Sequence, residues 1–310
     1  MVWGGECDGG WTRRFPREQK KNGTMDFAGR VGGWQPDLPD HRDYTLDHDV
    51  VRKLLRGLKP DADQAAVPSR VDWRGYLTPV EDQGKLPTSG AHACVALVQY
   101  FERRAKGRMI WPSRLFLHFG ASQFVGSGGR RRAVPLRAVL KALVRFGAPP
   151  ERQWPYRGVL LRRQPPPAAY RYSRGFRKIR FLRLDAREQT GGDTLRIAKG
   201  FLAAGFPFVL GFPVTTAMTE GAEIPFPAVF DRVLTGMAAL AVGYDDSKRV
   251  LSDRGAILIR NCWGKEWGDR GYGWLPYAYL RERMAVDLWT LLKRPWIKSG
   301  EFHQPQPPAA

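Results

Sequence analysis

The stretch LIRNCWGKEWGDRGYGWLPYAYL, residues 258–280, is the most informative segment of this 310-residue chain. It begins inside the short apolar run AILIRN (256–261), which predicts a buried strand because aspartate and glycine precede it. Asn261 stands at the end of that strand, and Trp263 follows it in a turn rich in glycine. The segment therefore predicts a polar amide held at a strand end beside a large aromatic side chain.

Two further segments have equally clear patterns. In QGKLPTSGAHAC (83–94), a Gln-Gly pair and a short turn precede an apolar helix, and Thr88 or Ser89 fits its N-cap. In GMAALAVGYDD (236–246), an apolar strand ends in a turn. The helix is predicted to end at Gly107, because glycine commonly terminates helices.

The order of the predicted elements indicates the fold class. Apolar periodicity predicts helices at 91–107, 111–125 and 134–147, and short apolar runs predict strands at 206–214, 237–244 and 256–261. Helices that come first and strands that come later are typical of an α+β protein with two lobes and a cleft between them.

The chain divides into a central domain and two flanking segments. Residues 1–33 are predicted to be a disordered leader, and Met25 is an alternative start. The central domain spans 34–296, with a helical lobe mainly at 68–165 and a β lobe mainly at 166–293. WQPDLPDHRDY (34–44) is rich in proline and aspartate, which predicts an extended strap, and 297–310 form a Pro-rich tail.

Composition predicts a folded cytoplasmic protein. Hydrophobic residues make up 43% of the chain, yet no apolar run reaches the roughly 18 residues that span a bilayer, so no membrane association is expected. Residues 1–33 lack the apolar core of a secretory signal. The sparse cysteines, Cys7, Cys94 and Cys262, are then expected to be reduced thiols.

No cofactor or metal site is expected. The chain has no Cys-x-x-Cys pair, and His41 and His48 lie seven residues apart on a proline-rich loop. This spacing does not match the usual arrangement of metal ligands.

The charge is strongly basic, at +20. Residues 128–183 contain 16 lysines and arginines and one acidic residue, Glu151. This surplus predicts weak, sequence-independent binding of polyanions, while an ordinary solvated surface is the alternative. Arg137, Lys141 and Arg145 are predicted to form an outward stripe on one helix.

In this order, the segments 71–84, 236–246 and 258–280 resemble the papain-like cysteine peptidases, most closely the short microbial members without a long propeptide. The resemblance covers about residues 34 to 293. It implies a papain-like fold in which a cleft separates a helical lobe from an antiparallel, β-barrel-like lobe. It also implies a Cys-His-Asn site, with the cysteine at a helix N-terminus and a glutamine that stabilises the oxyanion.

The family positions transfer to this chain as follows. Gln83 matches the oxyanion glutamine, and Ser89, six residues later, stands where the family has its cysteine. Met237, in Gly-Met-Ala, stands at the histidine position, and Asn261 matches the orienting asparagine. The resemblance also implies a substrate cleft that contains Gly128, Gly129 and Trp263.

The two departures predict an inactive homologue, a pseudopeptidase with a binding or regulatory role. A serine hydroxyl needs a base during attack, and a methionine thioether cannot act as one. The partner implied is an extended peptide or protein segment in the cleft. Three alternatives stay open: an active Ser89 with His92 as an improvised base, Cys94 as a nucleophile in another register, and a polyanion or nucleic-acid binder.

Overall fold

A computed structural model describes residues 32–56, 67–126, 133–299 and 301–303. The helices in these ranges are α1 (Asp49–Leu55), α2 (Ser89–Lys106), α3 (Arg114–Phe124), α4 (Leu136–Phe146), α5 (Gly191–Ala203), α6 (Ala278–Arg281) and α7 (Arg294–Ile297). The strands are β1 (Arg70–Asp72), β2 (Arg180–Arg183), β3 (Phe208–Thr215), β4 (Val233–Val250), β5 (Asp253–Arg260), β6 (Tyr272–Pro276) and β7 (Val286–Leu292).

Helix α2 is the central helix of the domain. Small residues fill its first turn, and most of its residues are buried, because a helix that is apolar on all sides must be covered on all sides. It ends at Gly107, whose backbone is left-handed with φ of 62°, and the Gly107 N–H donates to the carbonyl of Arg103. The predicted C-terminal glycine is confirmed.

The strands form one antiparallel sheet in the order β2-β7-β3-β4-β5-β6, with β1 paired to β4. Strands β3 and β4 are buried over most of their paired length, which indicates that both faces of the sheet are covered there. Helices in the first half and this sheet in the second confirm the predicted α+β class. Among the described residues, no helix is both long and apolar enough to cross a membrane.

The N-terminus of α2 packs against the middle of β4, and this contact positions the site. The backbone N–H of Ala238 donates to Ser89 Oγ at 3.2 Å. The pairing of β4 with β3 then fixes the neighbours of that point, because Met237 lies opposite Phe212 and Ala238 opposite Gly211.

One expectation about α4 is wrong. Arg137 does not face solvent with Lys141 and Arg145 but is buried, and its guanidinium donates to Asp43 Oδ1 at 2.8 Å. A carboxylate from a distant segment turned this residue inward, and helical periodicity cannot reveal such a partner.

The flanking segments are described only in part. Gly32 and Gly33, at the end of the predicted leader, are buried, and Gly32 N donates to Thr235 Oγ1 at 3.0 Å. In the predicted tail, Phe302 is buried against Phe101 at a ring-centroid distance of 5.7 Å. Residues 1–31 and 304–310 lie outside the described ranges, so the disorder and flexibility predicted for them stay predictions.

Candidate functional site

The structure brings the four predicted family positions together. Ser89 contacts the backbone of Ala238, the residue after Met237. Gln83 and Asn261 are joined through Cys262: the Gln83 N–H donates to the Cys262 carbonyl at 2.8 Å, and the Cys262 N–H donates to Asn261 Oδ1 at 2.8 Å. Residues far apart in sequence thus converge at the N-terminus of α2.

Ser89 is placed where a nucleophile would stand, at the first residue of α2. The helix dipole there favours a negative charge, which would help a thiolate. A serine hydroxyl has a much higher pKa than a thiol and gains little without a base. The Ser89 side chain instead accepts the Ala238 N–H, and the residue is fully buried.

Met237 cannot replace the missing base. Its side chain is fully buried, and a thioether sulfur is at most a weak hydrogen-bond acceptor. The predicted oxyanion and orienting side chains are engaged with Cys262: its Sγ donates to Gln83 Oε1 at 2.8 Å, and its backbone N–H donates to Asn261 Oδ1. Asn261 Nδ2 has no hydrogen-bond partner among the described residues.

Among the described residues, no hydrogen bond joins His92 to Ser89. Its Nδ1 lies 3.1 Å from the Thr88 carbonyl oxygen, and its ring meets Tyr156 edge-on. Burial, with Arg114 as a smaller cause, lowers the pKa of His92 to about 3, so the imidazole stays neutral. It lines a small cavity of about 10 Å³ together with Asn261.

The other candidate groups are structural. Cys94 lies on the buried face of α2, and burial raises the pKa of its thiol, so it is a small core residue rather than a nucleophile. His118 is buried within α3, where burial lowers its pKa to about 4. Trp263 is buried edge-on to Trp267, with ring centroids 5.7 Å apart.

The cleft between α2 and β4 holds the chain's own residues 32–37, which overlap the start of the extended segment predicted at 34–44. From here on, the strap means residues 32–37. The N–H groups of Gly33 and Trp34 donate to the Gly236 carbonyl at 3.1 and 3.3 Å, and Val134 N donates to the Gly33 carbonyl at 3.3 Å. The strap therefore hydrogen-bonds to β4 at Gly236, the residue that precedes Met237, and to Val134 just before α4.

Glycine permits this close approach. A Cβ on Gly33 would lie 2.5 Å from the Ser89 nitrogen and 2.7 Å from its Oγ, distances that Cβ atoms essentially never show. Opposite the strap, a Cβ on Gly211 would lie 2.0 Å from the Trp34 ring. The buried Trp34 side chain therefore rests directly on the backbone of β3.

A buried charge cluster fastens the strap at Asp37, whose side chain is only 1% exposed. Its backbone N–H donates to Asp287 Oδ2 at 2.8 Å, and its carboxylate accepts from the Arg137 backbone N–H at 3.1 Å. Asp287 also accepts from Trp34 Nε1 at 3.0 Å and from Arg183 Nη2 at 3.0 Å. The strap is thus tied to α4, β2 and β7.

This cluster contains more carboxylates than guanidiniums. Burial, with the nearby Asp287 as the second cause, raises the pKa of Asp37 to about 7 despite Arg137 and Arg183. Burial also raises the pKa of Asp287, and it raises that of Asp185 to about 6. The strap is therefore most strongly held when the cluster carries a proton.

Sequence reasoning missed Trp34, Asp37 and Asp287 as site residues. The Gly32-Gly33 pair was the available signal, since adjacent glycines ahead of a buried tryptophan indicate close backbone contact. Gly128 and Gly129, the predicted docking glycines, lie outside the described residues. Within the described ranges, no group of three or more His, Cys, Asp or Glu side chains could hold a metal ion.

Comparisons with known proteins show what this chain is similar to. No family model matches the chain. It is 26% identical over 276 residues to an uncharacterized peptidase C1-like protein of Acanthamoeba polyphaga mimivirus, covering 84% of this chain and 86% of that protein. It is 28% identical over 209 residues to cathepsin K of Gallus gallus, covering 66% of this chain and 58% of that protein.

The structural comparison gives the same result. Xylellain, a cysteine protease from Xylella fastidiosa, superposes with a TM-score of 0.70 at 27% identity, covering 89% of this chain and 99% of that chain. A recombinant stem bromelain precursor, at 16% identity and a TM-score of 0.54, shares the fold. The predicted papain-like fold is confirmed, and this chain is a homologue of the papain-like C1 cysteine peptidases.

Proposed function

We propose that this protein is a pseudopeptidase, a papain-like homologue that binds or regulates and does not cleave peptides. One observation carries the proposal: Ser89 and Met237 stand at the family positions of the nucleophile and the base, Ser89 Oγ accepts the N–H of the residue after Met237, and both residues are fully buried. Losing both functions costs on the order of a million-fold in rate in comparable hydrolases.

An improvised serine site is the second candidate, and the histidines argue against it. The structure describes the side chains of His41, His48, His92 and His118, and none of these four is hydrogen-bonded to Ser89. His92, the nearest in sequence, has a pKa lowered to about 3, far below the value near 7 that suits a general base at neutral pH.

The strap supports a role other than turnover. It covers Ser89, and it bonds to Gly236 and Val134 as an extended ligand would. A substrate would have to displace it together with the buried Trp34 and Asp37. We therefore infer that the cleft alternates between the chain's own strap and an extended segment of a partner.

A peptide-hydrolysis assay tests the proposal with four proteins: the wild type, Ser89→Cys, Met237→His and the double variant. We expect no turnover by the wild type and little by either single variant, because each still lacks the nucleophile or the base. The double variant should recover some activity, since the helix N-terminus, Gln83 and Asn261 remain in place.

The assay must distinguish a site that lacks catalytic groups from a site that the strap blocks. Each protein is therefore also assayed with Trp34→Ala, which removes the side chain that fills the cleft. Wild-type turnover that Ser89→Ala abolishes would overturn the proposal. Activity of Ser89→Cys alone would show that another group, such as His92, serves as the base, and would favour the second candidate.

A further inference from the structure

A cationic groove lies outside the cleft, and none of its lining residues is a family site position. It is a cavity of about 920 Å³ between α1, the chain entering β2 and the residues around α7. Its rim carries seven basic side chains and no acidic one: Lys53, Arg56, Arg177, Lys178, Arg180, Arg294 and Lys298.

None of these seven residues forms an ion pair with a described carboxylate, whereas the buried Arg137 and Arg183 are fully paired. Among the described residues, Arg180 alone of the seven has a side-chain hydrogen-bond partner, the Tyr44 hydroxyl at 3.0 Å. All seven are exposed. Uncompensated cations on one concave surface create a strongly positive local potential.

The floor of the groove is aliphatic. Leu54, Ile179, Leu292 and Ile297 line it and belong to the hydrophobic core or pack against it, and Val50 on its wall is 39% exposed. A second cavity of about 480 Å³ adjoins it, shares Val144, Arg177 and Phe181, and adds Lys141 and Arg145. Together they exceed the roughly 300–1,000 Å³ of small-molecule sites, which indicates a larger ligand.

We propose that this groove binds an acidic amphipathic segment of a partner protein, with the apolar face of the segment on the floor and its carboxylates against the cationic rim. This arrangement matches the helix-in-groove mode of recognition, in which successive turns along one face of a helix supply the apolar anchors. The acidic flanks supply the complementary charge that steers association.

Other polyanions fit the same surface less well. Single-stranded nucleic acid gains affinity by stacking bases on free aromatic faces. Here the Tyr44 ring lies under Arg180, and Phe181 packs edge-on against Trp289. An anionic bilayer needs protruding apolar side chains, whereas the aliphatic residues of this site lie at the bottom of a concavity.

Fluorescence anisotropy on the full-length protein tests the inference. The probe is a synthetic peptide of about 14 residues, four helical turns, with leucines along one face and glutamates elsewhere. Its control has the same composition in an order that breaks the apolar face. Poly-uridine and vesicles containing phosphatidylserine are the competing ligands. We expect the amphipathic peptide to bind at least tenfold more tightly than the control peptide.

Two pairs of variants locate the binding. Arg177→Glu with Lys178→Glu should weaken peptide binding about tenfold and flatten its salt dependence. The same charge change at the exposed Arg152 and Arg157, outside the groove, should have little effect. Val50→Gln should weaken binding without changing the salt dependence, unlike Val159→Gln at a valine exposed elsewhere.

Equal binding of both peptides, tighter binding of poly-uridine or vesicles, or no binding even at low salt would each overturn the inference. These outcomes are independent of the cleft, because no residue substituted here contacts the strap, Ser89 or Met237.

Discussion

The strap should be held in the cleft less strongly as pH rises, because Asp37 then loses its proton. Its pKa in the folded protein is raised from 3.8 to about 7. Between these values the folded protein retains a proton that the unfolded chain has released. The stabilisation from this carboxyl is therefore complete below about pH 4 and is lost as pH rises towards 7.

The magnitude follows from the two pKa values. Each pKa unit corresponds to about 1.4 kcal/mol, so the whole shift is on the order of 4 kcal/mol. Integration between about pH 5 and about pH 8 gives a loss of about 3 kcal/mol in the free energy of unfolding from Asp37 alone. Asp287, Arg137 and Arg183 are the charged groups that face it.

Urea unfolding of the wild type and of Asp37→Asn over this pH range measures the effect. The asparagine keeps an oxygen to accept from Arg137 or Trp289 but has no proton to lose. Its unfolding free energy should fall by about 3 kcal/mol less than that of the wild type. Titrating groups remote from Asp37, including the buried histidines, are common to both proteins and cancel in the comparison, whereas Asp287 faces Asp37 and its pKa changes with the substitution.

Asp40→Asn is the matched control on the neighbouring stretch of chain. Arg42 holds the pKa of Asp40 well below its usual range, so this carboxylate stays charged throughout the pH window. The free energy of unfolding of Asp40→Asn should therefore change with pH as that of the wild type does. If the free energies of unfolding of Asp37→Asn and the wild type changed equally with pH, the raised pKa of Asp37 would be refuted.

Three further results are expected. Gly33→Val should release the strap and speed hydrogen exchange of its backbone amides, because a Cβ at Gly33 has no room beside Ser89. Gly75→Val is the control and should leave this exchange unchanged, because the space around Gly75 is open. Burial lowers the pKa of His118 from 6.5 to about 4, so the wild type should lose about 2 kcal/mol of its free energy of unfolding as pH falls from neutral to about pH 5. His118→Leu should not show this loss. A variant as sensitive to acid as the wild type would contradict the prediction. Cys94 should resist alkylation in the native protein and react after unfolding, as site-resolved mass spectrometry can show.

The local parts of the fold were predictable from the sequence. The predicted ends of α2 and the positions of β3 and β5 agree with the structure to within about three residues, because capping and apolar runs are local signals. Strand β4 extends beyond its predicted apolar run at both ends, over Val233–Val250. The convergence of Ser89, Met237 and Asn261 was predictable from the family resemblance alone. Spacing by itself does not say which strand faces which helix.

The charges were predicted poorly, because their roles depend on distant partners. Arg137 and Arg183 look like surface residues in a basic segment, yet Asp43 and Asp287 neutralise them in the interior. The uncompensated cations that remain collect with Lys53 from α1, far away in the sequence. A count of arginines therefore indicates a surplus of charge but not its location.

The altered site and the strap are energetically consistent with each other. In an active papain-like enzyme, the cysteine and histidine form a charged pair, and covering such a pair with a dry segment would remove its solvation at a cost of several kcal/mol. Ser89 and Met237 are both uncharged, so Gly33 and Trp34 can lie over them without that penalty. Among the described residues, the charged groups that face Asp37 of the strap are Asp287, Arg137 and Arg183, and the raised pKa of Asp37 lowers the cost of its burial. With uncharged residues at these two positions, the main electrostatic obstacle to a closed cleft is absent, and the raised pKa of Asp37 links the closing of the cleft to pH.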